Sequence, residues 1–345
     1  MQKQIMATAR AWHPAHFLLI VVLVLGILGV SARRPELSQA ATFLSPSPLI
    51  GVSSSTQNPL QIALLHWYNA NQTTQFTTAS GPYGVAFDGA SIWVCNNGAA
   101  TVSKLRASDG GNLGSFTVGT NPIAVAFDGA NIWVANINSN NVTKLAASNG
   151  KVLGTFTVGT QPAALAFDGK NIWVANNGSA NVTKLLASTG ATLGTFTAGT
   201  NPAGLAFDGT NIWIANNSAS SSTGTVMEMS ASGTILNTFT VGAEPAGIAF
   251  DGADIWVANF GSNNVTKLST AGVLGTFAVG NGPTGVVYDG ANIWVTNQTG
   301  NDVTKLSKTG TTLGTFTVGS LPSGAAFDGA NIWVANFGGT TVSKL

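Results

Sequence analysis

Phe127-Asp128-Gly129-Ala130-Asn131-Ile132-Trp133-Val134-Ala135-Asn136 is a phrase that this chain repeats, with small changes, seven times; its Trp stands at positions 93, 133, 173, 213, 256, 294 and 333. The intervals between those Trp residues are 40, 40, 40, 43, 38 and 39. A period near 40 residues built from strand signals points to small sheets arrayed in a ring, one blade per repeat. Within one unit, alternating apolar and polar residues predict strands over 123–127, 131–135, 141–145 and 152–158. Asp128-Gly129 joins the first two and Asn149-Gly150 the last two, each supplying the positive φ of a tight hairpin. The longest unit takes its extra residues in a loop over 217–224, which leaves the strands intact.

The ends of the array predict how it closes. Gln75-Phe76-Thr77-Thr78 matches the outer-strand phrase Ser115-Phe116-Thr117-Val118 at an offset of 40, and Leu345 aligns with Leu145 at the end of a third strand. The expected fold is therefore all-β, a seven-bladed propeller of four-stranded antiparallel blades over 75–345. An outer strand from the N-terminal side closes the ring and removes the sheet edges that an open array would expose.

Ahead of the array, residues 1–16 carry Lys3 and Arg10 and no acid, the run 17–30 is apolar, and Arg33-Arg34 follows. Residues 1–32 fit a signal peptide or a membrane anchor, the tether lying in 17–32. Residues 33–57 are a Ser/Pro-rich linker, and 58–74 hold a short helix and lead-in opened by Asn58-Pro59. These segments predict an extracytoplasmic chain, secreted or held at the cell membrane.

Composition narrows the function. Charged residues are 8% of the chain, against about 25% in ordinary globular proteins. From residue 75 onward ten Lys or Arg face twelve Asp or Glu, so no basic field draws in nucleic acid. Cys95 is the sole cysteine, which excludes an intrachain disulfide framework and any multi-cysteine metal site. No cofactor is expected.

Trp294-Val295-Thr296-Asn297 sits one aromatic substitution from the signature of the YVTN-type β-propellers, and the array over 75–345 resembles that family. Pro122 opening an inner strand, Val142-Thr143 in a third strand and Thr157-Val158-Gly159 in an outer one extend the likeness. The resemblance implies the propeller and an extracytoplasmic binding or surface role, with no single activity. A weaker likeness is to streptogramin B lyases, propellers whose eliminative ring opening uses a histidine with acidic partners and Mg2+. This chain departs there, because His13, His16 and His66 are its only histidines and all precede the array. A lyase of this kind would need a non-histidine, metal-assisted site.

Most recurrent residues have a reading within the fold. The seven Trp are expected to fill the wedges between blades. The aspartates Asp88, Asp128, Asp168, Asp208, Asp251, Asp289 and Asp328 are expected to bond their own turns. Lys104, Lys144, Lys184, Lys267, Lys305 and Lys344 are expected to form a solvated ring, with occasional ion pairs to the aspartates, that Glu228 interrupts. The asparagines ending each phrase open loops on the face of the inter-blade connections. There Asn259, Asn297 and Asn336 either cap Asx-turns or converge as amides on a central funnel. Departures from the repeat are the better clue: Phe260 and Phe337 follow their Asn where polar residues are usual, Glu244 precedes Pro245, and Asp302 takes a Ser or Asn position. All map to units five to seven, which predicts a binding sector for a protein, a carbohydrate or a cationic ligand. A non-enzymatic binding or scaffold module is the leading expectation, with the lyase-like enzyme and a surface-layer role as alternatives.

Overall fold

The computed structural model describes residues 75–218 and 222–345, and the expected signal or anchor, linker and helix lie outside them. Among these described residues, twenty-eight strands form seven four-stranded antiparallel sheets; in six of them the strands run in sequence order from the inside outward, and in the seventh the first strand of the array takes the outermost place. Blade 2 is typical: Pro122–Phe127, Asn131–Asn136, Asn141–Ala146 and Val152–Thr157. Its second strand runs one residue beyond the expected end, taking in Asn136, which later decides where that side chain points.

Blade 7 is assembled from both ends of the array. Gln75–Thr77 pairs with Thr341–Lys344 in the register Gln75 to Ser343, Phe76 to Val342 and Thr77 to Thr341, and the Thr78 N–H adds a bond to the Thr340 carbonyl at 2.7 Å. The seam carries the same packing as the covalent blades. Phe76 lies 5.1 Å from Trp333, as Phe116 lies 5.6 Å from Trp93.

Each blade interface repeats one arrangement. Trp93 is buried against Ile132, Val134 and Leu145 of the next blade, and the outer-strand Phe116 joins the same cluster. Phe116 also slides beneath the neighbouring Asn149-Gly150 turn, where a methyl at Gly150 would come within 2.2 Å of its ring. The turn aspartates behave as expected and do one thing more. One carboxylate oxygen accepts two backbone N–H bonds at 2.6–2.9 Å, and the other accepts the Trp indole N–H at 2.7–2.9 Å. For Asp128, Asp168, Asp251, Asp289 and Asp328, burial works to raise the carboxyl pKa, but these hydrogen bonds together outweigh it and hold each below the usual carboxylate range.

The lysine ring is not solvated, contrary to the expectation from sequence. Each of the six Nζ atoms stands 4.6–5.3 Å from the ring centre of its blade's Trp. Five of them also donate to a carbonyl in the next blade's turn, as Lys144 does to Ala187 at 2.7 Å. The aliphatic stems lie along apolar surface and the charge stays satisfied, so a lysine works here as an inter-blade strap. Glu228, in place of lysine in blade 4, is buried and accepts from the side-chain amides of Asn211 and Asn237 at 2.8 and 2.7 Å.

Candidate functional site

The seven inner strands surround a channel that opens as a cavity of about 560 Å3. Its wall is made of small and aliphatic residues such as Ala164, Ala203, Leu165 and Ile248. The strands come close because one position tolerates little bulk: a methyl at Gly247 would stand 2.2 Å from the Thr284 carbonyl of the next blade. The mouth lies on the face of the inter-blade connections, and there Ile137, Asn177, Asn217, Glu244, Phe260 and Gln298 line the cavity.

The phrase asparagines are not part of that mouth. Asn259, Asn297 and Asn336 are fully buried, as are Asn96, Asn136 and Asn176. Each amide N–H2 turns back into its own blade: Asn259 donates to Asn264 Oδ1 at 2.7 Å and to Thr266 Oγ1 at 2.8 Å, Asn297 to Asp302 at 2.6 Å and Thr304 at 2.8 Å, and Asn336 to Thr341 and Ser343 at 3.0 Å each. They staple second to third strands. The picture of amides converging on a funnel gives way because strand pairing extends through the Asn, and in a strand adjacent side chains point to opposite faces.

Asp302 belongs to the same staple, as the acceptor for Asn297. Phe337 is half-buried with its ring edge-on to Tyr83 of blade 1, centroids 5.4 Å apart, and it is not among the cavity-lining residues. Phe260 and Glu244 do line the cavity, and they are joined by a backbone bond from the Phe260 N–H to the Glu244 carbonyl at 3.0 Å. Of the seven residues singled out in the sequence, the structure brings two together at the channel mouth.

Sequence reasoning missed the rest of the mouth, although a signal was present. The residue after each phrase Asn is Asn97, Ile137, Asn177, Asn217, Phe260, Gln298 and Phe337 in turn, four amides interrupted by one aliphatic side chain and two phenyl rings. Part of this ring is already committed. Asn121 Nδ2 donates to the Asn97 carbonyl and side chain at 3.2 and 3.1 Å, and Asn138 Nδ2 donates to Asn121 Oδ1 at 2.7 Å. The mouth is thus asymmetric, with an amide mesh at blades 1 and 2 and an acid and a phenyl ring at blade 5.

Electrostatically the channel is sparse. Glu244 is the one carboxylate among its lining residues, and no Lys, Arg or His joins it. Among the described residues no three His, Cys, Asp or Glu side chains gather where a metal ion could sit. Burial pushes the Tyr83 hydroxyl and the Cys95 thiol up from their ordinary values, so neither ionises readily as a base or nucleophile.

No protein-family profile matches the chain, and no curated protein does. Solved structures match the fold. Hydrazine synthase of Kuenenia stuttgartiensis superposes with a TM-score of 0.69 at 19% identity over 78% of this chain and 96% of that one. Virginiamycin B lyase from Staphylococcus aureus gives 0.67 at 18% identity, covering 78% and 97%. A streptogramin B lyase structure gives 0.67 at 19%, covering 78% and 95%. At such identities the likeness establishes the seven-bladed propeller and nothing finer.

Proposed function

We propose that this chain is a non-catalytic binding or scaffold module displayed outside the cytoplasm, taking a protein or carbohydrate ligand at the channel mouth. The observation that carries the reading is where the repeat stops repeating. The recurrent aspartates and phrase asparagines are engaged in turns and staples, and five of the six lysines bond the next blade, while the ring after each phrase Asn varies around an open cavity. Fold requirements impose symmetry, and ligands do not. The basic and apolar character of residues 1–34 supports export, and the YVTN-type phrase supports a surface role.

The lyase reading draws support from two structural neighbours, and it is weaker because the array has no histidine and the channel has one carboxylate. Two measurements separate the proposals. Screening the full chain against glycans and candidate proteins should find a ligand whose binding fails in Phe260→Ala with little change in Tm. Incubation with a streptogramin B, with and without Mg2+, should leave the ring closed. Ring opening would overturn the module reading, and so would retention of the whole chain in the cytoplasm on fractionation.

A further inference from the structure

The fold does not account for Glu244. Seven equivalent positions precede the inner-strand prolines, and all have positive φ: Gly81, Asn121, Gln161, Asn201, Glu244, Gly282 and Leu321. The left-handed region favours Gly and Asn, so a glutamate at φ 52° gains nothing from the turn it occupies. Asn121 uses its side chain to tie blade 1 to blade 2, whereas the Glu244 carboxylate makes no ion pair or hydrogen bond with any described residue. It lies against the turn of blade 5, where a methyl at Gly261 would be 3.4 Å from its carboxyl carbon, and beside Phe260 at the cavity edge.

A carboxylate with no partner among the described residues, sharing a rim with a phenyl ring above an apolar channel with no basic residue in its lining, is complementary to one kind of group. Resting on the binding-module reading above, we propose that this mouth recognises an organic ammonium ion bearing an apolar substituent. Glu244 supplies the counter-charge, Phe260 the π-face, and the aliphatic channel wall receives the substituent. The neutral amides Asn177 and Gln298 complete the rim without competing charge. A neutral sugar would leave the carboxylate unmatched, and an anion would be repelled by it.

The test titrates the full-length protein with benzyltrimethylammonium chloride and with benzyl alcohol as its neutral counterpart, by calorimetry at low salt. The cation should bind at least 10-fold more tightly than the alcohol. Glu244→Gln and Phe260→Leu should each weaken it about 10-fold or more, and Glu244→Gln should leave the alcohol unchanged. An unaltered thermal melt in both variants shows that the loss is local. Equal affinity for cation and alcohol, or full retention of cation binding in Glu244→Gln, overturns the proposal. Neutral-glycan or protein binding at this mouth without cation binding overturns this inference alone. Absence of any ligand across the screen overturns the module reading with it.

Discussion

Replacing Gly190 by Ala tests whether the outer strand of one blade is wedged beneath the turn of the next. A Cβ at Gly190 would lie 2.0–2.5 Å from three ring atoms of Phe156, and the residue has φ +80°. Two costs combine: about 1–2 kcal/mol for an L-residue in the left-handed region, and about 1–3 kcal/mol for overpacking a ring that has little room to retreat. Phe156 has no easy exit, because it also packs against Trp133, with ring centroids 5.5 Å apart and planes tilted by 32°. Gly169 isolates the first cost, since it has φ +91° and nothing within 4 Å of the added methyl. With about 2–4 °C of Tm per kcal/mol for a domain of this size, Gly190→Ala should lower Tm by about 4–20 °C and Gly169→Ala by about 2–8 °C. In a Phe156→Leu background the excess of the first over the second should largely vanish, as a double-mutant cycle would show. Equal losses in the two single variants, or an undiminished excess in that background, would refute the wedge.

Acid should loosen the ring at its turns. The five aspartates whose carboxyls are held low contribute stability that is complete above their unfolded pKa of about 4 and is lost as pH falls through their lower folded values. Tm should therefore fall steeply below about pH 4, less so in Asp168→Asn, and a flat Tm down to pH 2 would contradict the assignment. Lys144→Met keeps the apolar stem but removes the Ala187 bond, and should cost about 1.5–3 kcal/mol in urea titration; a loss within error would show that the strap is idle. Removing residues 1–80 deletes the closing strand and should give an aggregating protein with a depressed melt, whereas removing 1–56 should leave the melt unchanged. Equal melts would place closure elsewhere.

Much of this architecture was legible because the phrase is long and returns seven times, so blade number, hairpin positions and the composite seam all follow from offsets alone. What misled was local. Asn259, Asn297 and Asn336 stand at the last position of a strand, where a shift of one residue exchanges buried for exposed, and period counting does not resolve that end. The lysines look solvated in a sequence because their partners, an indole and a carbonyl in the next blade, are long-range. Phe337 was conspicuous as a departure, yet its ring meets Tyr83, a neighbour only because the ring closes. Glu244 was conspicuous for the same reason and does face the channel, although its positive φ, the fact that removes the fold explanation, is not written in the sequence.

The seam also decides how the molecule answers a mechanical load. Gln75 lies opposite Ser343, so a force applied between the segment before Gln75 and Leu345 enters the antiparallel pair at one end. Strands loaded this way part like a zipper, one hydrogen-bonded pair after another, instead of sharing the force across all pairs as they would in shear. Three pairs and the Thr78 bond then separate in turn, and the six other blades bear no tension until they have gone. The chief resistance on the way is the side chain of Phe76, second in that order and held between Trp333 and the Gly110 turn, so a catch one residue wide sets the force at which the ring opens.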